Sequence, residues 1–279
     1  MTAAHSSSRP GSAPALVDTS KASIARVYDY ALGGKDNYPV DRDVIESLRR
    51  AAPEAELLAV DNRAFLVRAV RFLAGEAGID QFLDCGSGLP TAENTHQVAQ
   101  RLNPEARVVY VDNDPSVVAH GRALLEENDL TSFSPGDLTD PRQVLDDPVV
   151  TRNLDFDRPI ALLQAGTLHH YDEDRLSIPE IMEQYIAALP SGSFVAIAHF
   201  LDPEDDDSEL ARRMEDVFVH SPMGTGRFRT RDQIRAMLPG LDLIDPGLVR
   251  CFEWWPDGPA LKPIVPAQRC IAGVVGRKP

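Results

Sequence analysis

The sequence predicts an α/β protein: a doubly wound, mostly parallel seven-stranded sheet with an antiparallel last strand, preceded by an N-terminal helical segment. Three observations carry this. From Ile79 onward, short apolar runs alternate with helix-period patterns, as in a parallel sheet covered on both faces. The first of these runs ends in a carboxylate and a glycine turn, FLDCGSGLPT (82–91), which opens a helix. The last two runs have no helix pattern between them, so they must pair antiparallel.

In chain order, residues 1–20 read as a disordered tail rich in Ser, Ala and Pro, and His5 within it has no assigned role. Residues 21–78 form the helical segment and 79–279 the α/β core. Ser23 is placed to cap a short helix carrying Ile24, Val27 and Tyr28, which Gly33-Gly34 stops. After the loop Lys35–Pro39, Asp41 reads as the cap of a helix ending near Ala52. Pro53 then suits the first turn of a longer helix, roughly 54–75. Leu58, Phe65, Leu66, Ala69, Val70 and Leu73 form its apolar face.

Strands are expected at Gln81–Asp84, Arg107–Asp112, Ser132–Ser134, Pro159–Gln164 and Ser193–Phe200, then at Leu241–Trp255 (strand-like at least through Phe252) and Arg269–Gly276. Val108, Val109 and Val111 are β-branched, as a buried strand prefers. Helices are expected at 91–102, 115–127, 141–146, 178–188, 207–219 and 230–238.

The net charge is −15, from 43 acidic and 28 basic residues, which disfavours nucleic acid or an anionic membrane as a partner and fits a small-molecule substrate. No apolar run reaches the ~20 residues needed to span a bilayer, and the N-terminus has no adequate apolar stretch for export. Cys85, Cys251 and Cys270 form no Cys-x-x-Cys pair and are odd in number, which points to a reducing cytoplasm. Cys85 reads as a packing side chain. The acidic run 202–207 reads as a solvated loop feeding a helix N-terminus, and no His/Cys spacing suggests a metal.

The chemistry centres on the strand ends. Gly86 and Gly88 bare the backbone for close approach of a ligand. Asp84 stands where open parallel sheets bind ligands, and its charge would repel a pyrophosphate but attract a sulfonium or ammonium. The third glycine of the dinucleotide fingerprint is missing, its slot falling on Thr91. The reading is therefore S-adenosylmethionine rather than NAD. Asp112, 24 residues after Gly88, suits ribose hydroxyls, with Asn113 beside it and Asp114 capping the next helix. Asp137 can accept from an adenine amino group, with the Leu138 N–H beside it; ordinary turn chemistry explains Gly136-Asp137 equally well.

The fourth strand ends in LLQAGTLHHYDED (162–174). Gln164 would lie nearest the methionine part. His169 and His170 are candidate bases, with His169 slightly preferred. His199 either faces the same crevice or packs. Glu253–Pro256, with its two tryptophans, either lines an acceptor site or covers the sheet edge.

On the segments SIARVYDYALGGKDNY, FLDCGSGLPT, VVYVDNDP and PIALLQAGTLHH, the chain resembles the class I S-adenosylmethionine-dependent methyltransferases. More narrowly it resembles the actinobacterial S-adenosyl methyltransferase family, formerly a domain of unknown function. The resemblance covers nearly the whole chain after the tail and implies a Rossmann-like core. It implies Asp84, Gly86 and Gly88 for the methionine portion, Asp112 for the ribose and Asp137 for the adenine. It also implies that Tyr28, Gly33, Lys35 and Asn37 fold over the cofactor as a lid. Cys85 and Leu89-Pro90 depart from the wider class. The resemblance leaves open the acceptor, the oligomeric state and a noncatalytic cofactor-binding role.

Overall fold

The computed structural model describes residues 17–91, 93–121 and 128–279. Five parallel strands make most of the sheet: β1 (Gln81–Cys85), β2 (Arg107–Val111), β3 (Thr131–Ser134), β4 (Ala161–Ala165) and β5 (Phe194–Phe200). β8 (Ile271–Arg277) lies antiparallel to β5 and to the short β6 (Asp242–Leu243), and the sheet runs β3-β2-β1-β4-β5-β8-β6. Successive side chains of a strand face opposite ways. Phe82, Val108 and Leu163 therefore join the core on one face, and Leu83, Val109 and Leu162 the core on the other. Every β1 residue is buried, as expected of a strand covered on both sides. The chain order reverses between β1 and β4, which opens a crevice at the carboxyl ends of the strands.

Helix α3 (Leu57–Arg71) packs over β4, β5 and β8 and carries the predicted apolar face. Helices α1 (Ile24–Ala31) and α2 (Pro39–Ala51) pack together, and α2 lies against α9 (Ser208–His220). Ser23 caps α1 as expected. Asp41 does not cap α2. Tyr38 holds that position, and Asp41 sits in the first turn with both oxygens engaged. Its Oδ1 accepts from the Ser23 N–H at 2.9 Å, and its Oδ2 from Arg26 Nε at 2.9 Å and the Tyr38 N–H at 2.8 Å. It is therefore the staple between α1 and α2.

Other departures have local causes. Glu54 has a φ of 63°, so residues 53–56 form turns and α3 begins only at Leu57. The single strand expected over 241–252 is two short pieces, β6 (Asp242–Leu243) and β7 (Val249–Arg250), both antiparallel to β8. Pro246 between them has no N–H for a ladder, and a turn from Gly247 N–H to the Ile244 carbonyl breaks the run.

Asn94 delays α4 (Thr95–Leu102), and Asp114 caps α5 (Pro115–His120). The rest of the helix expected to 127 lies outside the described residues, as do residues 1–16 of the predicted tail, His5 included. Residues just after those are tied down: Arg26 Nη2 donates to the carbonyls of Asp18 and Lys21. Helices α6 (Pro141–Leu145), α7 (Pro148–Asn153), α8 (Ile178–Ala188) and α10 (Arg231–Arg235) are the other α-helices among the described residues, α7 being unforeseen.

Candidate functional site

A cavity of about 490 Å³ opens at the carboxyl ends of the parallel strands, roofed by α1, α2 and α3. Gly86, directly after β1, donates its N–H to the Val111 carbonyl at 2.7 Å. Its φ is +76°, and a Cβ there would fall 2.2 Å from Thr167 Cγ2. Glycine is thus required both by the backbone conformation and by the approach of the β4 turn. Gly88 N–H donates to Asp112 Oδ2 at 2.9 Å, and Asp114 N–H donates to Asp112 Oδ1 at 2.9 Å. Each Asp112 oxygen keeps lone-pair capacity for a hydroxyl donor. Burial raises Asp112 to about 6, partly opposed by those two N–H groups.

Asp84 is buried on the same wall, and burial raises its pKa too. Its Oδ2 accepts from the Thr95 hydroxyl at 2.6 Å, which leaves the second oxygen for a ligand. Asn113 and Leu138 also line the cavity.

Asp137 does not line it. Its carboxylate is turned to Arg175, at 3.0 Å, and to the Thr139 N–H and hydroxyl. The expected trio of strand-end acids is therefore a pair on the wall, with the neighbours of Asp137, Gly136 and Leu138, at the third position. Gln164 is fully buried behind the wall, its Oε1 accepting from Thr167 Oγ1 at 2.8 Å. Ala165, Gly166 and Thr167 line the cavity in its place.

Of the four residues expected in the N-terminal cover, only Tyr28 reaches the cavity. Asn37 is consumed by the helices either side of its loop: Nδ2 donates to Asp29 Oδ2 of α1 at 2.8 Å and Oδ1 accepts from Arg42 Nε of α2 at 2.7 Å. Gly33 and Lys35 are exposed on that loop.

Sequence reasoning missed Asn62. Tyr28 donates its hydroxyl to the Ala59 carbonyl at 3.2 Å and accepts from Asn62 Nδ2 at 2.9 Å. A carbonyl can only accept, so this chain fixes the amide orientation. Asn62 Oδ1 is left buried without a partner on the cavity wall. Gly166, at φ +80°, makes room, since a Cβ there would fall 2.8 Å from Asn62 Nδ2. The signal was present: Asn62 follows Leu58 by one helical turn on the apolar face of α3. Arg63, also on the wall and also missed, reaches the Glu93 carbonyl, and its charge favours ionised Asp84.

His169 and His170 both line the cavity. His169 is stacked on Phe200 with ring centroids 3.6 Å apart, and burial, then the charges of His170, His199 and Arg229, hold it well below the usual imidazole range. His170 is lowered by burial to about 4, with Thr225 and Asp172 opposing, and its Nδ1 lies 3.1 Å from Thr225 Oγ1. His199 is off the wall. Arg229 Nη1 donates to its Nε2 at 3.2 Å, so its Nδ1 carries the hydrogen given to the Phe200 carbonyl at 2.7 Å. Trp254 is fully buried against Phe65 and Phe72, covering the sheet rather than lining the cavity. Burial pushes the Cys85 thiol up, which leaves it inert.

The unpartnered Asn62 Oδ1 and Ser87 Oγ, together with Asp84 and Asp112, suit a ligand rich in hydroxyl and ammonium donors and carrying positive charge. A profile described as S-adenosyl methyltransferase matches residues 10–279. The chain belongs to the S-adenosyl methyltransferase family. Its activity is S-adenosylmethionine-dependent methyl transfer.

A crystal structure of a candidate methyltransferase from Thermobifida fusca YX is 41% identical, with a TM-score of 0.87 over 94% of this chain and 96% of that one. A DUF574 family protein from Streptomyces avermitilis MA-4680 is 36% identical, with a TM-score of 0.87 over 94% and 99%. OxaC, at 17% identity and a TM-score of 0.51 over 85% of this chain and 53% of that one, shares the fold. No curated protein matches the chain. Among the described residues, no helix of this methyltransferase is long and apolar enough to cross a membrane.

Proposed function

We propose that this methyltransferase acts in the cytoplasm on a small-molecule acceptor, with its cofactor held by Asp84 and Asp112 across the β1–β2 end of the cavity. The carrying observation is the shared wall: Asp84 and Asp112 stand at adjacent strand ends, the latter braced by the Gly88 N–H, and one ligand would reach both. Asp84, with the unpartnered Ser87 hydroxyl of the glycine turn, takes the methionine portion. Asp112 takes the ribose hydroxyls, and Asn113, Gly136 and Leu138 border the adenine. Asn62 Oδ1 accepts from a cofactor donor. The cavity's size, about 490 Å³, and the net charge of −15 support a small acceptor over nucleic acid. The free, buried cysteines agree with a reducing compartment.

When bound, S-adenosylmethionine supplies an electrophilic methyl on a sulfonium that departs as a neutral thioether. The protein's residues align the two reactants and exclude water, and such orientation can supply ~7–11 kcal/mol. The acceptor's lone pair forms the new bond to carbon while the carbon–sulfur pair stays on sulfur. His170 then takes the acceptor's proton. Its neutral imidazole sits on the wall, and Asp172 favours its protonated form. His169 has no such carboxylate partner and serves as a stacking surface. Helices α1 and α2 act as the cover, closing the cavity from above. Calorimetry tests the assignment: S-adenosylmethionine and S-adenosylhomocysteine should bind at micromolar affinity with NAD silent, and binding of NAD alone would reverse it.

A further inference from the structure

The cavity crosses six neighbouring strands, and its chemistry changes along the way. At the β3-β2-β1 end its wall carries Asp84, Asp112, Asp114 and the polar glycine turn. Past β4 the wall comes from β5, β8, α2, α9 and the loop after α9. Those elements contribute Phe200, Ile271, Ile45, Leu48, Phe218 and Met223, all of them apolar. The histidines at this end are held neutral, because burial outweighs Asp172. Among the described residues, two other charged groups stand on the wall, neither from β5, β8, α2 or α9: Glu56, just before α3, pairs through Oε1 with Arg49 at 3.2 Å and keeps Oε2 buried without a partner, and Arg63 of α3 reaches the Glu93 carbonyl. No ionised side chain from β5, β8, α2 or α9 stands on the wall.

Strands are spaced about 4.8 Å apart, so β3 and β8 lie roughly 24 Å from each other. The polar end already matches the donors and charge of the cofactor. The border falls at Ala165–Gly166–Thr167, and the methyl must be presented there for the far half to hold the acceptor.

We propose that the β5–β8 half of the cavity binds an uncharged, largely apolar small molecule, an aromatic ring bearing a hydroxyl or amine, as the methyl acceptor. This rests on the cofactor placement given above. An apolar ring gains from leaving water against Phe200, Phe218 and Leu48. A carboxylate there would be desolvated with no cation to meet it. Phe200 lies nearly parallel to His169, Phe218 and Phe228, so this end of the cavity is built largely of aromatic rings. In the transfer, the ring's hydroxyl or amine would form the new bond to the methyl carbon as the carbon–sulfur bond breaks, its electron pair staying on the thioether sulfur, and the acceptor's proton would go to His170.

The test uses the full chain saturated with S-adenosylhomocysteine and two ring probes of one shape, naphthol and naphthoate, in calorimetry. Naphthol should bind, and naphthoate should bind at least ~10-fold more weakly. Met223→Glu, on the half-buried loop after α9, should abolish naphthol binding and keep S-adenosylhomocysteine affinity within about twofold. A protein that binds S-adenosylhomocysteine but neither probe, or both equally, overturns the acceptor class and leaves the cofactor placement standing. A wild-type protein that fails to bind S-adenosylhomocysteine overturns both. Naphthol binding undisturbed by Met223→Glu would place the ring elsewhere and overturn the proposal.

Discussion

The Gly88 N–H donates to Asp112 Oδ2 across 2.9 Å, joining the glycine turn of one strand to the acid at the end of the next. The pairing holds the turn in its φ-positive conformation at Gly88 and orients the carboxylate before any ligand arrives. Asp112→Ala removes both this brace and the proposed ribose contact. A hydrogen bond to a charged group is worth about 1.5–3 kcal/mol. The affinity for S-adenosylmethionine should therefore fall at least ~10-fold by calorimetry. Unchanged affinity would take Asp112 out of the site.

Burial holds Asp112 at about 6, and only its ionised form accepts from two hydroxyls. Affinity for S-adenosylhomocysteine should be full above about pH 6 and decline as pH drops through it, by at most about tenfold per unit. Stability of the free protein moves the other way. This raised pKa contributes stability that is complete below the unfolded value of ~3.9 and is lost as pH rises through about 6. Asp112→Asn should flatten both dependences. A wild-type binding profile flat between pH 5 and 8 would contradict the assignment.

Gly86→Ala should be severe. The added methyl would meet Thr167 Cγ2 at 2.2 Å and Leu138 Cδ2 at 3.1 Å, on a backbone with φ +76°. Left-handed strain alone costs ~1–3 kcal/mol. Denaturant unfolding should show a loss of at least ~2 kcal/mol, and cofactor binding should vanish. By contrast Gly33→Ala, with open space around its Cβ position, should show only the backbone term of about 1 kcal/mol. Equal effects at the two positions would remove Thr167 as the reason for glycine at 86.

The proposed cover depends on Asp41. Its pairing with Arg26 is fully buried on the carboxylate side, and it also accepts two backbone N–H groups. Removing one partner of a buried pair costs ~3–5 kcal/mol. Asp41→Ala should free α1 from α2 and hasten cofactor release. Deleting residues up to Tyr38 should give the same faster release while the sheet still unfolds cooperatively. Normal retention of the cofactor by the truncated protein would refute the role of α1 as a cover.

His170→Gln should lower turnover with hydroxyl or protonated-amine acceptors by ~10²–10⁴-fold, the usual reach of general-base catalysis, with little change in S-adenosylhomocysteine affinity. His169→Gln should act mainly through packing against Phe200 and weaken acceptor binding instead. A reversed pattern would return the base to His169.

The sequence by itself determined the layers and the ligand class. A strand buried on both faces is mostly apolar, a turn with bare backbone favours glycine, and an acid at a strand end is local to its own strand. Hence β1, β2, Gly86, Asp84 and Asp112 were legible one segment at a time. Only the tertiary structure decided where side chains with several available partners would point. Asp137 went to Arg175, 38 residues away, and Asn37 to Asp29 and Arg42 on the helices either side of its loop. Asn62 was left with an unpartnered oxygen because Tyr28, on another helix, took its amide. The apolar half of the cavity likewise belongs to no single segment. Ile45, Phe200, Phe218 and Ile271 each read as ordinary core, and they become a wall only because α2, α9, β5 and β8 meet around a space that none of them fills. Competition among distant partners and the shape left between packed elements are properties of the assembled chain, and no local pattern encodes them.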